Sequence, residues 1–297
     1  MPALAGLSPV DGWVVAAILA KATGYGLALL AMGGPGFLAV FTREVGALRL
    51  DRLVRAVTAG AALCLLLVLA LRFGIRSARI SGMGAAGMTD PIMLGIVWDS
   101  PLGSAAVWRG AGAALVLLVV VRSRPALVPA GLGALLIAMS YGQVGHSLGE
   151  PRWLLGTLLV LHLLAVAFWV AALVPLRVVA ARLEGAALLH RFGVVATGVV
   201  ALLAAVGVGL AWLLSGSPAA LLGTAYGWAL LAKVATVGIL LGLAARNKLR
   251  LVPALARGDP GGGEALRRSI AWEIAAVAAI LLATAILTTI TTPPVNL

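Results

Sequence analysis

Residues 153–176 read WLLGTLLVLHLLAVAFWVAALVPL, and Arg177 follows. This stretch holds no Asp, Glu, Lys or Arg over 24 residues. As a helix it would run about 36 Å at 1.5 Å per residue, enough to cross a hydrocarbon core of about 30 Å. Its apolar residues are continuous rather than alternating, which predicts a helix and not a barrel strand. Lipid offers no water to an open backbone, so a helix is the form that closes all its own hydrogen bonds.

Seven similar stretches accompany it. The pattern predicts helices over about 13–41, 52–73, 103–121, 125–145, 153–176, 187–214, 225–245 and 268–291. The expected fold is therefore an all-α polytopic membrane protein, an eight-helix bundle forming one membrane domain over 1–297. Composition agrees: 62% of the 297 residues are hydrophobic, and the mean hydropathy is +1.10. No soluble domain of this size has that profile. Met1–Gly12 has no basic residue, so it lacks the start of a cleavable signal peptide, and the first helix is expected to be retained.

The formal charge of +12 does not point to nucleic acid, because the cations sit at the ends of apolar runs. Fifteen of the 22 basic residues follow helices one, three, five and seven. They form the groups Arg43 to Arg55, Arg122 and Arg124, Arg177 to Arg191, and Arg246 to Arg268. Arg72, Arg76, Arg79, Arg109 and Arg152 are assigned to the other side. The positive-inside rule then puts the odd loops in the cytoplasm and both termini on the periplasmic side. Trp13, Trp98, Trp108, Trp153, Trp212 and Trp228 fall near the expected outer interface, where indoles prefer to sit. Two connections stand apart: an outer loop over 74–102, with a short interfacial helix near Pro91–Val97, and a basic cytoplasmic connector over 246–267. Gly33-Gly34-Pro35-Gly36 is expected to kink or break the first helix.

An ionisable group at mid-bilayer costs at least about 2.5–3.5 kcal/mol, so it generally faces a partner, a cavity or a ligand. Lys21, His162, Lys233 and Glu273 meet that test. His162 falls near the middle of its span, with Trp169 seven residues on along the same face. Met139, Gln143 and His146 share one face of helix four. Thioether and imidazole together suit Cu(I), with Cu(II) as the alternative. Met83, Met88 and Met93 recur every five residues in the outer loop and are read as a copper-collecting segment, the alternative being a loop folded onto the bundle. Asp90 and Asp99 would add oxygen ligands for Cu(II). Lys233 and Glu273 differ in depth by about 10–15 Å, too far for a direct ion pair. The lone Cys64 excludes an internal disulfide, and His190 is expected to be solvated. No Cys-x-x-Cys, His-Glu-x-x-His or phosphate-binding loop is present, and no catalytic residues are assigned: the chain is not expected to be an enzyme.

An ordered set of motifs resembles the copper-resistance D family. It comprises Gly145-His146, His162 through Trp169 to Pro175-Leu176, Tyr226-Gly-Trp228 to Lys233, Ala245-Arg-Asn247-Lys248, and Leu266 to Glu273. The resemblance implies an eight-helix protein of the bacterial inner membrane that moves copper, inward, after receiving it from a periplasmic CopC-like chaperone. It carries the family's histidines to His146 and His162, its lysine to Lys233 and its glutamate to Glu273; Lys21 departs from the pattern. The alternatives are a haem-b-binding membrane oxidoreductase, or a copper-binding accessory or sensor subunit that does not transport.

Overall fold

The computed structural model describes residues 10–144, 151–215 and 225–290. Eleven helices are described: α1 Gly12–Val40, α2 Thr42–Ala47, α3 Asp51–Ser81, α4 Pro91–Trp98, α5 Pro101–Leu117, α6 Leu127–Tyr141, α7 Arg152–Val179, α8 Ala186–Ser215, α9 Ala225–Arg246, α10 Val252–Ala256 and α11 Gly262–Ile290. Seven of these, α1, α3, α5, α7, α8, α9 and α11, are long and apolar enough to cross a bilayer. The chain is a polytopic helical membrane protein. The fourth expected span, 125–145, is the 15-residue α6; at about 22 Å it falls short of the hydrocarbon thickness.

Three boundaries differ from the sequence reading. Helix α3 runs to Ser81 rather than ending near 73, because nothing between Gly74 and Ile80 opposes helix and Gly82 supplies the left-handed cap at φ 66°. Arg76 and Arg79 therefore ride on a helix with Arg72 and not in a loop. Helix α11 begins at Gly262, not 268, with Glu264 in its first turn, where an acid suits the helix dipole. Of the expected connector over 246–267, only Arg257–Gly261 is left outside helical elements, and there Gly258 and Gly261 adopt positive φ.

Helix α1 is not broken at Gly33-Gly34-Pro35-Gly36; it is continuous from Gly12 to Val40. The small residues serve packing. A Cβ at Gly33 would stand 1.9 Å from the Ala167 carbonyl oxygen on α7, and one at Gly34 would stand 1.8 Å from Thr58 Oγ1 on α3. Helix α1 is thus wedged between α3 and α7, and it also packs on α6 and α11. The same device joins α5 to α6, where Gly112 and Gly133 each leave room for the other's backbone. Lipid gives helices no hydrophobic reason to associate, so close backbone approach at small residues carries much of the cohesion.

The outer segment folds back onto α3. A 3-10 turn over Gly84–Met88 is tied down by Ser77 Oγ donating to the Gly87 carbonyl at 2.5 Å. Met88 lies over Gly74, where an added Cβ would meet its Cε at 3.2 Å. The expected interfacial helix is present as α4, capped by Asp90 accepting from the Met93 amide at 2.9 Å. At the other end of the bundle Arg191 of α8 donates to Glu44 of α2 at 2.5 Å. That bond holds the Glu44 carboxyl below the usual carboxylate range.

The wedge can be tested directly. Gly34→Val should cost about 1–3 kcal/mol of overpacking and lower the Tm in detergent. Gly60→Ala, where an added Cβ meets nothing within 4 Å, should not lower it.

Candidate functional site

Helix α7 carries the central stripe. His162, Trp169, Leu173 and Leu176 follow one another at seven, four and three residues, so they share a face. Trp169, Leu173 and Leu176 are buried and line a cavity of about 380 Å³. Its other walls come from α8 (Phe192, Ala196), α9 (Leu241, Ala244), the turn after α9 (Asn247, Lys248) and α11 (Ile270, Glu273). His162 stands about 10 Å from Trp169 along the helix. Its Nδ1 is buried and lacks a hydrogen-bond partner, and the Lys233 ammonium on α9 lies within electrostatic range. No ion pair joins Lys233 to Glu273 among the described residues.

Glu273 is 4% exposed, and its partner is one the sequence reading did not assign. Asn247, also buried, donates from Nδ2 to Glu273 Oε1. The helix widens to a π-helical turn over Asn247–Leu251. Such turns redirect side chains and gather at functional sites. Trp169 Nε1 neighbours the Glu273 carboxyl without a hydrogen bond of good geometry, and Asn247 Oδ1 and Ser269 Oγ are also buried without partners. Ser269 lies one turn before Glu273 on the same helix. At the cavity rim Lys248 lays its stem over Gly193 and donates to Thr197 Oγ1 at 2.5 Å. A carboxyl, an amide and an indole at the end of an apolar cavity can bind a proton or a hydrated cation.

The other expected site residues are placed differently. Met139 is 39% exposed, in line with Val128, Leu132 and Leu135, which are exposed too. These positions form one outward stripe of α6 at helical spacing. This removes Met139 from the interior route expected from the sequence. Gln143, just past α6, is half-buried, and His146 lies outside the described residues. Met83 is exposed at 55%, while Met88 and Met93 are half-buried. Asp90 is occupied in capping α4. Lys21 lies at the far end of α11, donating to the Thr288 carbonyl at 2.8 Å and to Thr289 Oγ1 at 3.2 Å. Arg109, read as a topology signal, is buried in α5, with Nε donating to Ser140 Oγ at 3.0 Å. Among the described residues no three His, Cys, Asp or Glu side chains cluster as a metal site.

Residues 186–287 match the family model described as CopD, copper resistance protein D. Over that stretch the chain is CopD-like. The match contains α8, α9, Lys233, Asn247 and Glu273, and so three of the four helices around the cavity. Trp169, Leu173 and Leu176 supply the α7 wall, N-terminal to the match, with His162 further along the same helix face. No curated protein and no solved structure matches the chain.

Asn247→Leu should leave the Glu273 carboxyl buried without its donor, at a cost of about 1–3 kcal/mol. Replacing both residues with leucine should recover much of that loss, because neither polar group is then stranded. Thermal midpoints of the two single variants and the double variant in detergent provide the measurement.

Proposed function

We propose that the chain conducts copper across the bacterial inner membrane, from periplasm to cytoplasm, with copper as cargo rather than resident cofactor. One observation carries the reading. An unpartnered imidazole, His162, shares the face of α7 that lines the Glu273 cavity, and three helices of that cavity lie in the CopD-like segment. A neutral imidazole nitrogen is a good ligand for Cu(I), which tolerates few ligands at a time. The ion would pass His162, enter the cavity beside Trp169 and leave past Asn247 and Lys248. Glu273 would take up a proton or offset the passing charge.

The arginine distribution supports the orientation, with the Glu273 end in the cytoplasm and both termini in the periplasm. Helix α6 would make the eighth crossing, as the short member of a pair with α5. Met83, the exposed methionine of the outer segment, would meet copper first, with His146 as the next ligand. A separate periplasmic CopC-like protein would deliver it.

Proteoliposome uptake of Cu(I) tests the route. His162→Ala should reduce uptake by at least about tenfold, the scale on which metal sites respond to lost support. Met139→Leu, on the outward stripe, should leave it unchanged. Equal uptake by wild type and His162→Ala, with both variants monodisperse, would refute the route.

A further inference from the structure

The polar residues at the opposite end of α11 are not ligands in this route. Lys21 of α1, Arg72 of α3 and Arg109 of α5 each lie eight or nine residues inside a helix end, a depth of about 12–14 Å. They lie close together. Arg72 is within electrostatic range of Arg109, Tyr141 and Tyr25, and Lys21 is within range of Arg72. Tyr25 packs on Tyr141 with ring centroids 5.7 Å apart, and its hydroxyl pairs with Thr288 Oγ1 at 3.3 Å. Three cations thus converge at one level, and none is in an ion pair among the described residues.

Arg109 shows what the cluster lacks. It is 4% exposed, one nitrogen is used on Ser140, and the guanidinium stacks over the Tyr141 ring at 4.0 Å. Nη2 is buried with no hydrogen-bond partner. Stacking on a ring compensates a cation only partly, and a guanidinium stranded in a low-dielectric interior is costly. The planar fork of arginine matches a tetrahedral oxyanion better than a spherical ion. The Arg72 guanidinium near Arg109, with the Lys21 ammonium near Arg72, adds further directions of contact.

We propose that Arg109, Arg72 and Lys21 form a binding site for a phosphate oxyanion, at the end of the bundle away from the Glu273 cavity. The phosphate group comes from an anionic lipid headgroup or from free phosphate. The site stands on its own residues and does not depend on the copper route.

The test uses the full chain, as wild type, Arg109→Gln, Arg72→Gln and the exposed control Arg122→Gln. One arm is native mass spectrometry of protein taken from membranes containing phosphatidylglycerol and washed into zwitterionic detergent. The other is the Tm in phosphatidylcholine nanodiscs with inorganic phosphate, against chloride at equal ionic strength. If the headgroup is the ligand, wild type and Arg122→Gln retain phosphatidylglycerol, and each cluster variant retains about tenfold less, the effect of one charge-assisted hydrogen bond. If free phosphate is the ligand, it raises the Tm of wild type and the control but of neither cluster variant. Should Arg109→Gln fail to fold, the half-exposed Arg72 provides the decisive variant. If neither lipid retention nor the phosphate response separates wild type from folded Arg72→Gln, the proposal is overturned.

Discussion

Every polar group in this bundle is held by the absence of water around it. In hydrocarbon an unpaired amide or charge has nothing to fall back on, so helices close their backbones and charged side chains seek partners inside the protein. Glu273 is the clearest case. Its carboxyl sits at 4% exposure and survives there because a π-helical turn brings Asn247 to it. Lys21 is the second case, held by a backbone carbonyl and a hydroxyl near the end of α11. Arg109 follows the same rule only in part, which makes it the more informative residue.

The packing that sets these positions depends on small residues. Helix α1 reaches α7 and α3 because Gly33 and Gly34 let backbones and a threonine hydroxyl approach where any side chain would collide. That contact orients α7, and the orientation of α7 decides which of its residues face the cavity. His162 is thereby aligned with Trp169, Leu173 and Leu176 instead of with lipid. A glycine pair on one helix and an imidazole on another are linked through the rotation of a rigid rod.

Much of this was legible in the sequence because cost is legible. A charge within an apolar run is rare enough to stand out, so His162, Lys233, Glu273 and Lys21 were visible without coordinates. Direction was not. Met139 and His162 have similar apolar neighbours on both sides, and helical period alone does not say which stripe meets lipid. Burial separates them: Met139 joins the exposed Val128, Leu132 and Leu135, whereas the half-buried His162 is aligned with the buried Trp169, Leu173 and Leu176. Asn247 was hidden for another reason. It follows Arg246 and precedes Lys248, so it reads as the start of a basic loop, and only the widened turn carries it into the interior. Arg109 was absorbed into a charge count that treats arginines as topology signals, although Arg109 has seven apolar or small residues between it and the helix start at Pro101, with Ser104 the only hydroxyl.

The two polar levels lie on one helix. Glu273 and Thr288 are 15 residues apart on α11, about 22 Å, and the His162–Lys233 pair belongs to neither. One level is a carboxyl and an amide; the other is three cations. A cation approaching the bundle from the cationic end meets repulsion that the low dielectric does little to screen. That repulsion falls away if an oxyanion occupies the cluster, and the path to His162 is then governed by ligand chemistry instead of by charge. The arrangement therefore ties the two inferences together electrostatically while leaving each on separate residues. An anion at Arg109 would lower the barrier for copper, and a copper path that avoided that end would need no anion at all.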